Sequence, residues 1–259
     1  MTRKPGDGRP RRGRLLAALA AAYLVGLHAA AGVMLAKSNF LHLAGKTLGL
    51  VQPEEFGPEY FEKAVALARR DAAVPDGAVL LLGDSMVEQL PAGIVDHRAV
   101  GLGVGGDTVR GLMHRLPLHR SAGRAGALVL AIGVNDLKYR DPAEIAAEYA
   151  QLLAMVPSGP GIHVGAVLPV DEGNPMVASR PWLRNERIRA LNRGIEEACR
   201  SHPGCTFVDT WQGMARGSRG LDPAYAGPDG WHLSAEGQRV WARLLAGSLA
   251  TGTGRPAEG

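Results

Sequence analysis

Short, almost unbroken apolar runs set the tightest limit on how this chain folds. Val79-Leu80-Leu81-Leu82 runs straight into Gly83-Asp84-Ser85, and Ala127–Ile132 runs into Gly133-Val134-Asn135-Asp136. A strand exposed on one face alternates apolar and polar residues, whereas a parallel strand covered on both faces is apolar throughout. The run at Ala78–Leu82 is therefore expected as the first of five such strands. The others are Arg98–Leu102, Ala127–Ile132, Ile162–Leu168 and Thr206–Val208. Amphipathic segments separate them. Glu59–Asp71 places Phe61, Val65 and Ala68 at helical spacing, Thr108–Leu116 is a short helix, and Asn185–Arg200 carries Ile188, Leu191 and Ile195 on one side. Pro142–Met155 begins after Asp141 as N-cap with Pro142 at the first helical position. Ser234 caps a closing helix to Leu249 that contains Gly237. Strands and helices alternating in this way predict an α/β fold, a parallel sheet covered on both sides, over residues 58–250.

The charge is unevenly placed. Of 29 basic and 25 acidic side chains, six basic residues and only Asp7 fall within 1–14, a balance of +5. The remainder is close to neutral at −1, which gives nucleic-acid binding little electrostatic support. The basic stretch leads into 15–36, a run without a formal charge that rises about 33 Å as a helix, enough to cross a bilayer core. With arginines on one flank, 15–36 is expected as a transmembrane signal anchor that leaves the basic tail 1–14 in the cytoplasm. A cleaved signal peptide and a soluble helix are the alternatives. Residues 37–57 are expected as a juxtamembrane connector and 251–259 as a disordered tail. Cys199 and Cys205 flank a loop containing Pro203-Gly204, and either a disulfide or two separate buried thiols fits that spacing.

Chemistry is expected at four places, each of which follows an expected strand. The first is Gly83-Asp84-Ser85. The second, Gly101 to Thr108, matches the glycine spacing of a dinucleotide loop. It follows the second strand, however, and no Asp or Glu lies between Thr108 and Asn135 to hold a ribose. Its glycines are better suited to presenting backbone N–H groups to an anion. The third is Gly133-Val134-Asn135-Asp136, where the Asn135 amide can donate to a developing oxyanion. The fourth is Asp229-Gly230-Trp231-His232, whose spacing lets Asp229 reach the imidazole and hold its other nitrogen as a base. Asp84, Asp107 and Asp136 are read as local hydrogen-bonding scaffolds. No histidine or cysteine spacing suggests a metal, so neither metal nor cofactor is expected.

These four blocks in order, GDS, GGDT, GxND and DxxH, resemble those of the SGNH (GDSL-type) hydrolases. The GDSMV run is most similar to the platelet-activating-factor acetylhydrolase-like branch. The resemblance spans 79 to about 249, and Val134 stands where the family often has a small or polar residue. It implies a flavodoxin-like three-layer α/β/α sandwich with a five-stranded parallel sheet. It also implies Ser85 as nucleophile, His232 as base and Asp229 as the acid orienting it. The implied oxyanion hole is the backbone N–H groups of Ser85 and Gly106 with the Asn135 side chain. The G-x-S-x-G elbow of ordinary α/β-hydrolases is absent around Ser85.

The expected protein is a membrane-anchored, extracytoplasmic serine esterase acting on a small-molecule or glycan ester, above all O-acetyl groups. A lipid or lysophospholipid esterase and a glycan O-acetyltransferase using the same triad are the alternatives, and a catalytically silent glycan-binding module is a third. The loops Glu88–His97, Val170–Trp182 and Trp211–Gly227 are expected to wall the pocket. Trp182 and Trp211 are available either for sugar stacking or for packing.

Overall fold

A computed structural model describes residues 10–37, 56–217 and 220–252. The basic tail up to residue 9, the connector from 38 to 55 and the end of the chain from 253 lie outside the described residues. The chain separates into two units, 1–54 and 55–259.

The first unit contains helix α1, Pro10–Lys37. His28 donates its Nδ1 hydrogen to the Leu24 carbonyl at 2.7 Å, so the imidazole is tied into the helix by its own preceding turn. Among the described residues no helix is long and apolar enough to cross a membrane. The transmembrane expectation for 15–36 is corrected accordingly. The helix forms, but the segment is dominated by alanine, whose methyl groups supply little apolar surface, and it carries His28 within its length.

The second unit is built on one parallel sheet of five strands in the order β2-β1-β3-β4-β5. The strands are β1 (Val79–Gly83), β2 (Ala99–Gly103), β3 (Ala127–Ala131), β4 (Gly161–Gly165) and β5 (Cys205–Val208). This order is the flavodoxin-like doubly wound arrangement, in which the chain turns back between β1 and β3 and opens a crevice at their carboxyl ends. Successive β1 residues feed opposite layers. Leu80 and Leu82 join Leu112, Tyr149, Leu152, Ile188 and Ile195 on one face, and Val79 and Leu81 join Val87, Trp241 and Leu245 on the other. The first layer is formed by α4 (Val109–Arg115), α5 (Pro142–Met155) and α7 (Asn185–Arg200). The second contains α3 (Ser85–Gln89) and α9 (Ala235–Gly252). Short helices α6 (Pro175–Ala178) and α8 (Trp211–Met214) lie in the connecting loops.

Three expectations change. Helix α2 (Pro58–Asp71) buries Tyr60 and Ala64 and leaves Phe61 and Val65 exposed. The Tyr60 hydroxyl donates to the Gly111 carbonyl at 2.7 Å, which turns this face inward. Strand β4 ends at Gly165 and does not continue to Leu168, because the Asn192 side chain takes over the hydrogen bonds of the Val167 backbone, accepting at 2.8 Å and donating at 2.9 Å. The closing helix runs on to Gly252. The sulfur atoms of Cys199 and Cys205 are bonded to each other across a Cα separation of 5.3 Å, which joins the end of α7 to the start of β5.

Candidate active site

The strand ends that meet at the crevice carry the expected residues. β1 runs into Gly83 and Asp84, and Ser85 is the first residue of α3. The turn into α3 is held by the Asp84 carboxylate, which accepts from the Met86 backbone N–H at 2.9 Å. The helix then lies against the end of β2, where Gly103 leaves no room for anything larger: a Cβ there would stand 2.2 Å from the Glu88 nitrogen. The loop after β2 turns at Gly106, whose φ of +79° falls in the left-handed region that favours glycine.

The structure brings Ser85, His232 and Asp229 together. Ser85 Oγ lies 2.8 Å from His232 Nε2. On the other side of the ring, Nδ1 lies 2.5 Å from Asp229 Oδ2. A carboxylate can only accept, so Nδ1 carries the hydrogen and Nε2 presents its lone pair towards the serine. Asp229 is itself fixed by the backbone N–H groups of Trp231 at 3.1 Å and His232 at 2.9 Å. Burial pushes the Asp229 carboxyl up, but the hydrogen bonds from the His232 side chain and the two backbone groups outweigh it and hold the pKa below the usual aspartate value. Ser85 is half-buried.

Asn135 follows β3 and is buried. Its amide donates one hydrogen to the Asp107 carbonyl at 3.1 Å, and its oxygen accepts from Lys138 Nζ at 3.1 Å. Both ends of the amide are therefore oriented, and the second amide hydrogen is directed by that orientation. Lys138, three residues further along the same turn, stands 5.1 Å from the centre of the Trp182 ring.

Beneath these groups lies a buried ionic floor. Arg115, 1% exposed, donates from Nε to Asp107 at 2.8 Å and from Nη2 to the Gly83 carbonyl at 3.0 Å. One guanidinium thus ties the loop after β1 to the loop after β2. Asp136 accepts from the Val109 backbone N–H at 3.1 Å and from Arg140 at 2.6 Å. Burial pushes Asp84 up to about 7, against the lowering effect of its bond from Met86, with the charges of Asp107 and Asp136 adding to the rise. Burial likewise pushes Asp107 up to about 6, despite Arg115. All three acids occupy the scaffolding positions expected of them.

The geometry makes sense of a wider kinship. The profile of the GDSL-like lipase/acylhydrolase family matches residues 62–240. The chain belongs to this family. It is an ester hydrolase of α/β fold. Among solved structures, a candidate platelet activating factor from Streptococcus pneumonia superposes with a TM-score of 0.68 at 24% identity, over 74% of this chain and 92% of that one. A GDSL-like lipase from Bacteroides thetaiotaomicron gives 0.62 at 20%, over 73% and 97%. An acetylxylan esterase from Geobacillus stearothermophilus gives 0.52 at 18%, over 66% and 94%. Comparison with functionally curated protein sequences gave no match.

Beyond the residues read from spacing, three side chains at the mouth were missed. Lys138 could have been found, since it lies one short-helix turn after Asn135. Trp231, whose indole N–H reaches His232 Nε2 at 3.3 Å, lies inside the DxxH block itself. Arg180, stacked 4.5 Å from the Trp231 ring centre, comes from a loop with no motif and had no signal. Trp182 and Trp211 are both partly buried against the core, and a cation covers each ring, Lys138 on the first and Arg189 at 4.3 Å on the second.

Proposed function

We propose that this GDSL-family hydrolase cleaves short acyl esters, chiefly O-acetyl groups on glycans, through a Ser85–His232–Asp229 triad. One observation carries the reading: Ser85 Oγ is 2.8 Å from the unprotonated nitrogen of an imidazole whose other nitrogen donates to Asp229. Ser85 Oγ bonds to the ester carbonyl carbon as its proton passes to Nε2. The carbonyl oxygen becomes an oxyanion that accepts from the Ser85 and Gly106 backbone N–H groups and the Asn135 amide. The carbon–alkoxy bond then breaks, and the alcohol leaves with the proton held by His232. Water repeats the steps in reverse, giving its proton to Nε2, and the acid departs as Ser85 recovers its hydrogen. Asp229 stays ionised and stabilises the imidazolium that forms twice per turnover.

Two observations support the substrate and its place. An acetylxylan esterase shares the fold. The Cys199–Cys205 bridge consumes both cysteines of the sequence, which suits an oxidising, extracytoplasmic compartment. A fluorophosphonate reagent is expected to label Ser85. Ser85→Ala is expected to abolish labelling and lower the rate of acetyl-ester hydrolysis by about 10,000-fold or more at an unchanged Tm. Undiminished hydrolysis by Ser85→Ala would remove the serine from the mechanism.

A further inference from the structure

We propose that Lys138 and Arg180 form an anion subsite beside the triad, and that the acetylated sugar this enzyme cleaves carries a carboxylate. The proposal rests on the esterase reading and narrows its substrate. Each cation lies close to a catalytic side chain: Lys138 donates directly to Asn135 Oδ1, and Arg180 lies on Trp231, whose ring centre is 5.3 Å from that of His232.

Neither cation is paired with a carboxylate among the described residues, although each lies beside the triad, where the buried Arg115 and Arg140 are both paired. The acids within reach are already committed. Asp229 holds His232, Asp136 is taken by Arg140 and the Val109 N–H, and Asp84 is buried under the serine with its charge disfavoured. Residues 175–184 contain Arg180 and Arg184 and no acid, and Arg184 spends its hydrogens on the Val177, Leu183 and Ala178 carbonyls. Arg180 uses Nη1 on the Met176 carbonyl and Ser179 Oγ. Its Nε and Nη2 edge makes no hydrogen bond among the described residues, and a guanidinium edge matches a carboxylate through two parallel N–H donors. Stacking on Trp231 fixes the plane of that fork, so little freedom is lost when an anion arrives.

The test compares acetate release from an acetylated methyl glucuronoside as its free acid and as its neutral methyl ester, two substrates that differ in one charge. The wild-type enzyme is expected to favour the acid, with an advantage that shrinks as salt rises while the neutral ester is unaffected. Arg180→Met is expected to lower kcat/KM on the acid by about tenfold, mainly through KM, with a much smaller change on the neutral ester. Arg180→Lys is expected to recover part of the loss. Equal turnover of the two substrates by the wild type, or an equal loss on both in the variant, overturns the anion subsite and leaves the triad reading intact. The wild-type salt dependence decides the matter even if the variant does not fold. Cleavage of a simple acetyl ester with neither sugar touched also overturns the subsite. Failure on every ester instead refutes the esterase reading.

Discussion

The floor beneath Ser85 and the rim above it hold their charges in different ways. In the floor, Asp84, Asp107 and Asp136 are almost completely buried, and backbone N–H groups and two buried guanidiniums satisfy them. At the rim, Lys138 and Arg180 lie over the Trp182 and Trp231 rings with no carboxylate partner among the described residues. Buried charges are tolerated only when every lone pair or hydrogen has a partner, so a floor of this kind is rigid and fixes distances. Cations resting on aromatic faces keep hydrogens to offer, so a rim of this kind selects. Asp229 sits between the two. It is less buried than the floor acids, and its pKa moves down where those of Asp84 and Asp107 move up.

Three changes would break or sharpen that contrast. The largest effect is expected from Asp229→Asn, which keeps the shape of the acid but removes its charge and lets the wrong imidazole tautomer form. A fall of about 10,000-fold in kcat is expected at constant KM, measured on an acetyl ester. A loss below tenfold would make Asp229 a mere structural neighbour of His232.

Next comes Arg115→Met, which removes the cation joining the loops after β1 and β2. Leaving Asp107 buried without its partner is expected to cost about 3–5 kcal/mol in urea unfolding. A cost under about 1 kcal/mol would show that the floor is not braced by this ion pair.

The smallest effect is a pH dependence. Asp84 binds its proton more tightly in the folded protein, where its pKa is about 7, than in the unfolded chain near 3.8. The folded state therefore holds more protons across that interval, and this contribution to stability, complete at pH 4, is lost as pH rises through 7. Asp107, raised to about 6, acts with the same sign over a narrower window. Asp84→Asn should flatten the fall of Tm between pH 4 and 7, leaving Tm near wild type at pH 4 and higher at pH 7. Parallel Tm curves for the two proteins would exclude Asp84 as the source.

The parts of this molecule written in local spacing were legible in the sequence. Helices α5 and α7 fall where periodicity and the Asp141-Pro142 start placed them, and Asp229 and His232 meet because three residues separate them in a turn. Features set by long-range contacts were not. The inward face of α2 depends on the Tyr60 hydroxyl reaching Gly111, fifty-one residues away. The end of β4 depends on Asn192. Helix α3 is five residues long, too short for periodicity to register. The rim is the extreme case, because a cation above an aromatic ring leaves no trace in spacing. The apolar run at 15–36 misled in the other direction: absence of charge over a spanning length is a weaker criterion than apolar surface.

The disulfide has a consequence for where the enzyme can change. Ser85, Gly106 and Asn135 all emerge from the carboxyl ends of their strands, whereas the Cys199–Cys205 bridge clasps the beginning of β5, at the opposite margin of the sheet. Reducing it would shorten the working life of the enzyme while leaving each turnover as fast as before. Durability and chemistry are thereby assigned to different shores of one sheet, and either can be altered without renegotiating the other.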